Sequence, residues 1–193
     1  MRQQLGFHYD LDPNTIANAF LYLDQQSDHP SITQLKLQKL LFLAQAQYLA
    51  STGYRLFDEH IEAFKFGPIV PSIHKRFQGR RDIIVLHDRI AQPLLPADVF
   101  DFVDNIWAMY GSESVHQLVE RTHRMNSWKN AYNKRDRHAV ISDVSMARDF
   151  TNAPRKQRVV NDNIALVDFD KVFDRDPDRD VKRALTAIRR YMR

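Results

Sequence analysis

The clearest pattern in the chain is a run of apolar residues at helical spacing between residues 33 and 53. Five of them share one side of a helix, because 3.6 residues make one turn: Leu37, Leu40, Leu41, Ala44 and Tyr48. Thr33 is a typical N-cap, and Gly53 is typical of the position after a helix. Since Phe42 and Leu43 widen the apolar side, the pattern predicts a central helix over residues 33–52 that has neighbours on more than one side.

Similar periodicity predicts shorter helices before and after the central one. Asp12 and Pro13 mark a helix start, because an acidic N-cap followed by proline at the first helical position is common. Four further helices are predicted after Pro71, over residues 98–110, after Ser114 (with Gln117 in a capping box), and after Ser142. A loop is predicted to hold Trp128 and Tyr132.

The stretch AFKFGPIVPSIHKRF interrupts this helical periodicity. Phe64 and Phe66 are two residues apart, which is typical of an extended chain. Gly67 tolerates unusual backbone angles, and Pro68 and Pro71 restrict the residues before them. The stretch therefore predicts a short extended segment, then a stiff bend, and then a helix that starts at Pro71.

Together these elements predict a mainly helical fold around the long helix at 33–52, with short extended segments. We expect a domain over residues 1–150 and a C-terminal extension over residues 151–193. Two more short strands are predicted at 83–86 and 164–169, and the extension is expected to end in a basic amphipathic helix. Apolar residues make up 44% of the chain, which is typical of a packed core.

The net charge of +4 is distributed unevenly. Residues 1–150 hold 17 Lys or Arg and 17 Asp or Glu, whereas residues 151–193 hold 11 basic and 7 acidic residues. The final helix could dock on an acidic partner protein, pack on the protein's own core, or contact nucleic acid. Nucleic acid is the least favoured, because aromatic residues are sparse and no reader motif is present. The candidate partner contacts are Arg183, Ile188, Arg190 and Tyr191.

We find no residues in an arrangement typical of catalysis. Ser72 lacks the flanking glycines of a nucleophile elbow, and no glycine-rich phosphate loop is present. His116, Glu120 and His123 lie near one another on a predicted helix, and such side chains can bind zinc. One helix rarely provides three ligands in tetrahedral geometry, so we expect a structural role for them. The prediction is a protein without catalytic residues, cofactor or metal.

Cysteine usage and hydropathy indicate where the protein acts. The chain has no cysteine, which excludes disulfides and thiolate ligands and is consistent with a reducing compartment. The longest apolar run, residues 40–44, is far shorter than a membrane span, and the N-terminus lacks the apolar core of a signal peptide. We expect a cytoplasmic protein that does not associate with a membrane.

Two blocks of the sequence, residues 35–77 and 110–132, resemble the Panacea domain, also called the SocA-like antitoxin domain. This domain occurs in bacterial and phage toxin–antitoxin operons, prophages included. The resemblance extends over roughly residues 14–150. Met125 and Ser127 stand where the family usually has an acidic residue and a proline. The matching motif includes Leu37, Lys39, Leu40, Gly67, Pro68, Pro71, His123 and Trp128.

The resemblance implies an antitoxin that is not an enzyme. Such a protein neutralises a cognate toxin, encoded by a neighbouring gene, by direct protein–protein binding. One relative in the family is an adaptor that delivers its toxin to a protease, so a protease is a second implied partner. A nucleic-acid-binding regulator that acts through the basic tail is a further alternative. The common domain is then a scaffold in which the motif residues are structural, and the extension helps to select the toxin.

Overall fold

The computed structural model describes residues 9, 11–84, 93–133, 136 and 138–151. Within these residues it contains seven helices and a three-stranded sheet, so the prediction of a mainly helical fold is confirmed. The elements in chain order are α1 Pro13–Gln25, α2 Gln34–Thr52, β1 Ile61–Phe64, β2 Gly67–Ile69, α3 Pro71–Arg76, α4 Ala97–Tyr110, α5 Val115–Arg124, α6 Asn126–Ala131, β3 Val140–Ile141 and α7 Asp143–Thr151. None of the described helices combines the length and apolar character of a membrane span.

Helix α2 is the centre of the fold, as its wide apolar side predicted. Thr33 Oγ1 accepts a hydrogen bond from the Lys36 backbone N–H at 3.3 Å, and Gly53 ends the helix with a left-handed φ of 76°. Every residue from Lys36 to Ser51 is buried. This burial follows from contacts on several sides, because α1, α4, α5, α7 and β2 all pack on α2.

The predicted starts of the other helices agree with the structure. Asp12 Oδ1 accepts from the Asn14 backbone N–H at 2.6 Å, and Ser114 and Gln117 form a reciprocal capping box. Gly111 follows α4 with an ordinary right-handed φ of −61°, so its backbone angle does not require glycine. A Cβ at this position would lie 2.6 Å from the Trp107 ring, so close packing requires glycine here.

The extended segment is part of an antiparallel sheet with strand order β2-β1-β3. Phe64 pairs with Gly67, and Ile61 pairs with Ile141. The predicted extended segment is confirmed, but its continuation through Phe66 is wrong, because Lys65 and Phe66 form a turn. The predicted stiff bend is therefore a β-hairpin, in which Gly67 has a φ of 96°.

The loop predicted around Trp128 is also corrected, because this residue lies in α6. The carboxylate of Asp149 accepts hydrogen bonds at 3.0 Å from the backbone N–H groups of Asn126 and Ser127. The first N–H groups of a helix have no partner within the helix. Here a residue more than 20 positions away in the sequence accepts their hydrogen bonds. Tyr132 follows directly after the last residue of α6.

The predicted strand at 83–86 and the predicted C-terminal extension lie partly or wholly outside the described residues. Ile83 makes a single antiparallel bridge with Thr33, and most of the predicted strand beyond it is not described. The extension after Thr151 also lies outside the described residues, with its predicted strand and final helix. The candidate contacts Arg183, Ile188, Arg190 and Tyr191 are in that part of the chain.

Candidate functional site

Several residues of the family motif lie at the β1–β2 hairpin, and α2 packs against β2. The Lys39 side chain is fully buried, and its Nζ donates to the Pro68 carbonyl at 2.8 Å. An added Cβ at Gly67 would lie 2.8 Å from Lys39 Nζ and 3.0 Å from Thr122 Oγ1. Glycine is therefore needed both for the backbone angle of the turn and for the close approach of the lysine.

A second α2 side chain binds Val70, the residue that follows β2. Gln38 Oε1 accepts from the Val70 N–H at 2.6 Å, and its Nε2 donates to the Val70 carbonyl at 3.3 Å. Pro68 has no N–H, so its carbonyl is the only backbone hydrogen-bonding group it offers, and Lys39 donates to it. Gln38 and Lys39 thus take the place of a neighbouring strand along the outer edge of β2 and of Val70 after it. This explains why these two polar residues of α2 are buried.

The environment of Lys39 changes its protonation. Among the described residues no carboxylate bonds to its amine, and burial lowers the pKa from the usual 10.5 to about 7. Near neutral pH a large share of the amine is therefore uncharged. The neutral amine still donates to Pro68, so the hydrogen bond does not need the charge.

An aromatic stack supports the hairpin from another side. The His123 and Trp128 rings stack with centroids 4.0 Å apart, and the Trp128 and Tyr132 rings stack at 4.7 Å. Trp128 Nε1 donates to the Phe64 carbonyl at 3.0 Å, just before the turn. Helices α5 and α6 therefore hold the end of β1, while α2 holds β2.

The surroundings of His123 lower its pKa and favour the neutral ring. Burial lowers its pKa, and the nearby Lys39 amine acts in the same direction, while a backbone hydrogen bond with Lys65 partly opposes both. Its Nε2 atom is buried and finds no hydrogen-bond partner among the described residues. The ring therefore contributes a stacking surface and a contact to the hairpin rather than a charge.

The three residues considered as zinc ligands do not converge. His116 Nε2 lies 3.8 Å from Glu120 Oε1 on the exposed side of α5, whereas the His123 ring packs on Trp128. In the part of the chain that the structure describes, no group of three His, Cys, Asp or Glu side chains could hold a metal ion. Of the remaining motif residues, Leu37 and Leu40 are buried in the core and Pro71 begins α3.

The outer side of the hairpin is aromatic and cationic. We call Lys65 and Phe66 the hairpin tip. Phe66 is 61% exposed, and Lys65 Nζ lies 5.4 Å from the centre of its ring. Beside the tip, the Phe64 ring contacts His74 and His138, with centroids 6.0 and 5.8 Å away. Sequence reasoning missed the exposure of Phe66, because alternation with Phe64 is also typical of a strand.

A separate polar cleft of about 520 Å³ lies between α5, α6 and α7. Its charges are largely paired with one another, since Arg121 binds Glu113 at 2.5 Å and Arg124 lies 3.5 Å from Glu120. Met125 and Asp149 also line it. Asp149 is engaged as the cap of α6, so the cleft offers few free charges to a ligand.

These observations define a helical domain with a braced β-hairpin. Residues 37–129 match the family model described as "Antitoxin SocA-like, Panacea domain". The resemblance of the sequence to a Panacea, or SocA-like, antitoxin domain is therefore confirmed over this segment. All eight motif residues named above lie within the matched segment.

A curated relative agrees with the family match. Antitoxin SocA from Caulobacter vibrioides (strain NA1000 / CB15N) is 29% identical to this chain over 124 residues. The match takes in 58% of this chain and 65% of the relative, so the chain spans less than two thirds of that protein. Comparison with solved structures gives no match.

Proposed function

We propose that this protein is an antitoxin that neutralises a cognate protein toxin by binding it directly. The observation that carries the proposal is the match of residues 37–129 to the SocA-like antitoxin family, and the curated relative bears the same kind of name. The toxin is expected to be the product of a neighbouring gene. We place this action in the cytoplasm, in line with a chain that has no cysteine.

The use of the motif side chains supports a binding role rather than a catalytic one. Lys39, Gln38 and Trp128 carry the polar atoms of the site, and each donates to a backbone carbonyl of the hairpin or of Val70, which follows it. These polar atoms hold the backbone in place instead of facing an open pocket. Such an arrangement suits a rigid surface that another protein can cover, because a preorganised surface loses little entropy on binding.

The extension over residues 151–193 is proposed to help select the toxin. Its excess of basic residues over acidic ones favours an acidic partner surface. On the predicted final helix, Arg183 and Arg190 would supply charge. Ile188 and Tyr191 would supply apolar contact.

Co-expression with the product of the adjacent open reading frame tests the proposal. We expect the full-length protein to restore growth of cells that express the toxin, with the amount of toxin unchanged. A fall in toxin abundance that depends on a host protease would instead indicate an adaptor. Failure to restore growth would contradict the antitoxin function in either form.

A further inference from the structure

We propose that the hairpin tip, Lys65 and Phe66, is the principal docking point of the Panacea domain for its toxin. The partner surface that fits it is an apolar pocket edged by carboxylates. The inference rests on the proposed function, because it takes the cognate toxin as the partner. It goes further in assigning the contact to the domain itself and in stating the chemistry of the partner.

The first argument is the exposure of an aromatic side chain on a turn. Phe66 is 61% exposed, although a turn position does not need a large apolar residue. Aromatic anchors that fill a pocket dominate the binding energy of many protein interfaces. The neighbouring Trp128 and Tyr132 are half-buried, and their stacked rings continue the aromatic surface beyond β1.

The second argument is the rigidity of the support. Lys39 Nζ donates to the Pro68 carbonyl at 2.8 Å, and Trp128 Nε1 donates to the Phe64 carbonyl at 3.0 Å. These bonds hold the strands on both sides of the tip. Because the backbone is fixed before the partner arrives, little conformational entropy is lost when Phe66 enters a pocket. Lys39 and Trp128 of the family motif would therefore serve binding, by fixing the hairpin tip, as well as packing of the core.

The third argument is the sign of the surrounding charge. The tip carries Lys65, and on α6 the exposed Lys129 follows Trp128, whose indole N–H binds the Phe64 carbonyl beside the tip. The nearby carboxylate of Glu62 is buried, and its two oxygens bind histidines at 3.2 and 3.0 Å. The free charge around the tip is thus positive, and it complements a partner surface rich in carboxylates.

Charge also argues against the other possible occupants. In a symmetric dimer formed through this face, a second copy of the chain would place Lys65 opposite the same cations. The protein's own extension, residues 151–193, has 11 basic and 7 acidic residues, so its net charge makes it a poorer match for the tip than an acidic protein. A separate protein with an acidic pocket is therefore the occupant that the described residues favour.

The test uses the full-length protein and the purified product of the adjacent open reading frame. Substitution Phe66→Ala should raise the Kd for that protein at least tenfold and leave the melting temperature unchanged, because the side chain is exposed. Leu94→Ala is the matched control, since Leu94 is 99% exposed on the loop before α4. The control should change the Kd less than twofold.

Substitution Lys65→Glu tests whether the positive charge of the tip speeds association. Arg148→Glu on α7 is the control, because it changes the net charge by the same amount. Lys65→Glu should slow association at least fivefold at low salt, and high salt should remove most of the difference. Arg148→Glu should leave the association rate within twofold of wild type. Equal slowing by both variants would mean that only the total charge matters, and it would overturn the acidic-pocket assignment.

The remaining outcomes separate this inference from the function on which it rests. If the wild type binds the toxin and Phe66→Ala binds it equally well, the docking point is wrong and the antitoxin function stands. If the wild type does not bind, both are overturned. If Phe66→Ala only converts a wild-type dimer into a monomer, the tip is a contact between copies of this chain and the inference fails.

Discussion

Among single residues, Lys39 shows most clearly how the domain works. Lysine is almost never fully buried unless a charged group pairs with it. Here the partner is the Pro68 carbonyl, and burial lowers the pKa of the amine to about 7. The residue can remain inside because it can lose its proton, so its effect on stability depends on pH.

Stability should increase with pH through the range set by Lys39. Below pH 7 the amine is protonated in both the folded and the unfolded states, and the folded state bears the full cost of a buried charge. Between about pH 7 and the unfolded pKa near 10.5, the unfolded state binds more protons, so the free energy of unfolding rises. The slope should be on the order of 1 kcal/mol per pH unit.

Chemical denaturation of wild type and Lys39→Met between pH 7 and 9.5 measures this effect. Lys36, whose pKa burial also lowers, is present in both proteins, so the difference between their slopes isolates Lys39. The range stops at 9.5 because burial raises the pKa of Tyr48 and Tyr110, which gives the opposite trend at higher pH. Parallel curves for the two proteins would show that the amine stays charged when folded.

Gly67 is the second residue whose change should be costly. Gly67→Ala introduces a Cβ at a φ of 96° and within 3 Å of the buried Lys39 side chain. We expect a loss of about 2–4 kcal/mol in the free energy of unfolding. Gly79→Ala is the matched control, because its φ of 82° brings the same backbone strain with no atom within 4 Å. It should lose only about 1 kcal/mol, and an equal loss in both variants would rule out the packing argument.

At the scale of elements, α2 and α6 show which features a sequence can predict. Helix α2 was predictable because its apolar pattern and both its caps are local in the sequence. Helix α6 was missed because its N-terminal N–H groups are satisfied by Asp149, which belongs to α7. The hairpin turn was misplaced for a similar reason: hydrogen bonds from Lys39 and Trp128, on distant elements, hold the strands on either side of the turn.

The hydrogen bonds from the start of α6 to Asp149 on α7 should contribute measurably to the free energy of unfolding. Asp149→Ala leaves two N–H groups at the start of α6 without their acceptor, and a lost cap of this kind costs about 1–2 kcal/mol. Urea denaturation gives the value. Asp104→Ala, at an exposed position on α4, should change stability by less than about 0.5 kcal/mol. A loss for Asp149→Ala no larger than this control would mean that water replaces the carboxylate.

The candidate site was only partly predictable from sequence. The resemblance selected Lys39, Gly67, His123 and Trp128, and the structure brings all four to the hairpin. Their roles could not be derived from spacing, because each depends on contacts between elements far apart in the chain. The exposure of Phe66 was likewise hidden, since it depends on where the turn falls.

At the scale of the whole molecule, the predicted division is between a neutral domain and a cationic extension. If the extension selects the toxin through its final helix, Arg183→Glu together with Arg190→Glu should weaken binding at least tenfold at low salt. Arg155→Glu with Arg158→Glu is the control, because it makes the same charge change elsewhere in the extension. Surface plasmon resonance at two salt concentrations compares them. Equal weakening would assign the effect to total charge rather than to the helix.

The central claim is that this protein acts by covering another protein. The most direct measurement is size-exclusion chromatography with light scattering on the full-length protein mixed with the purified product of the adjacent gene, followed by an assay of the toxin's activity in the isolated complex. The account predicts a complex of fixed stoichiometry in which the toxin is intact but inactive. A toxin that stays fully active, or that never enters a complex with this protein, would contradict it.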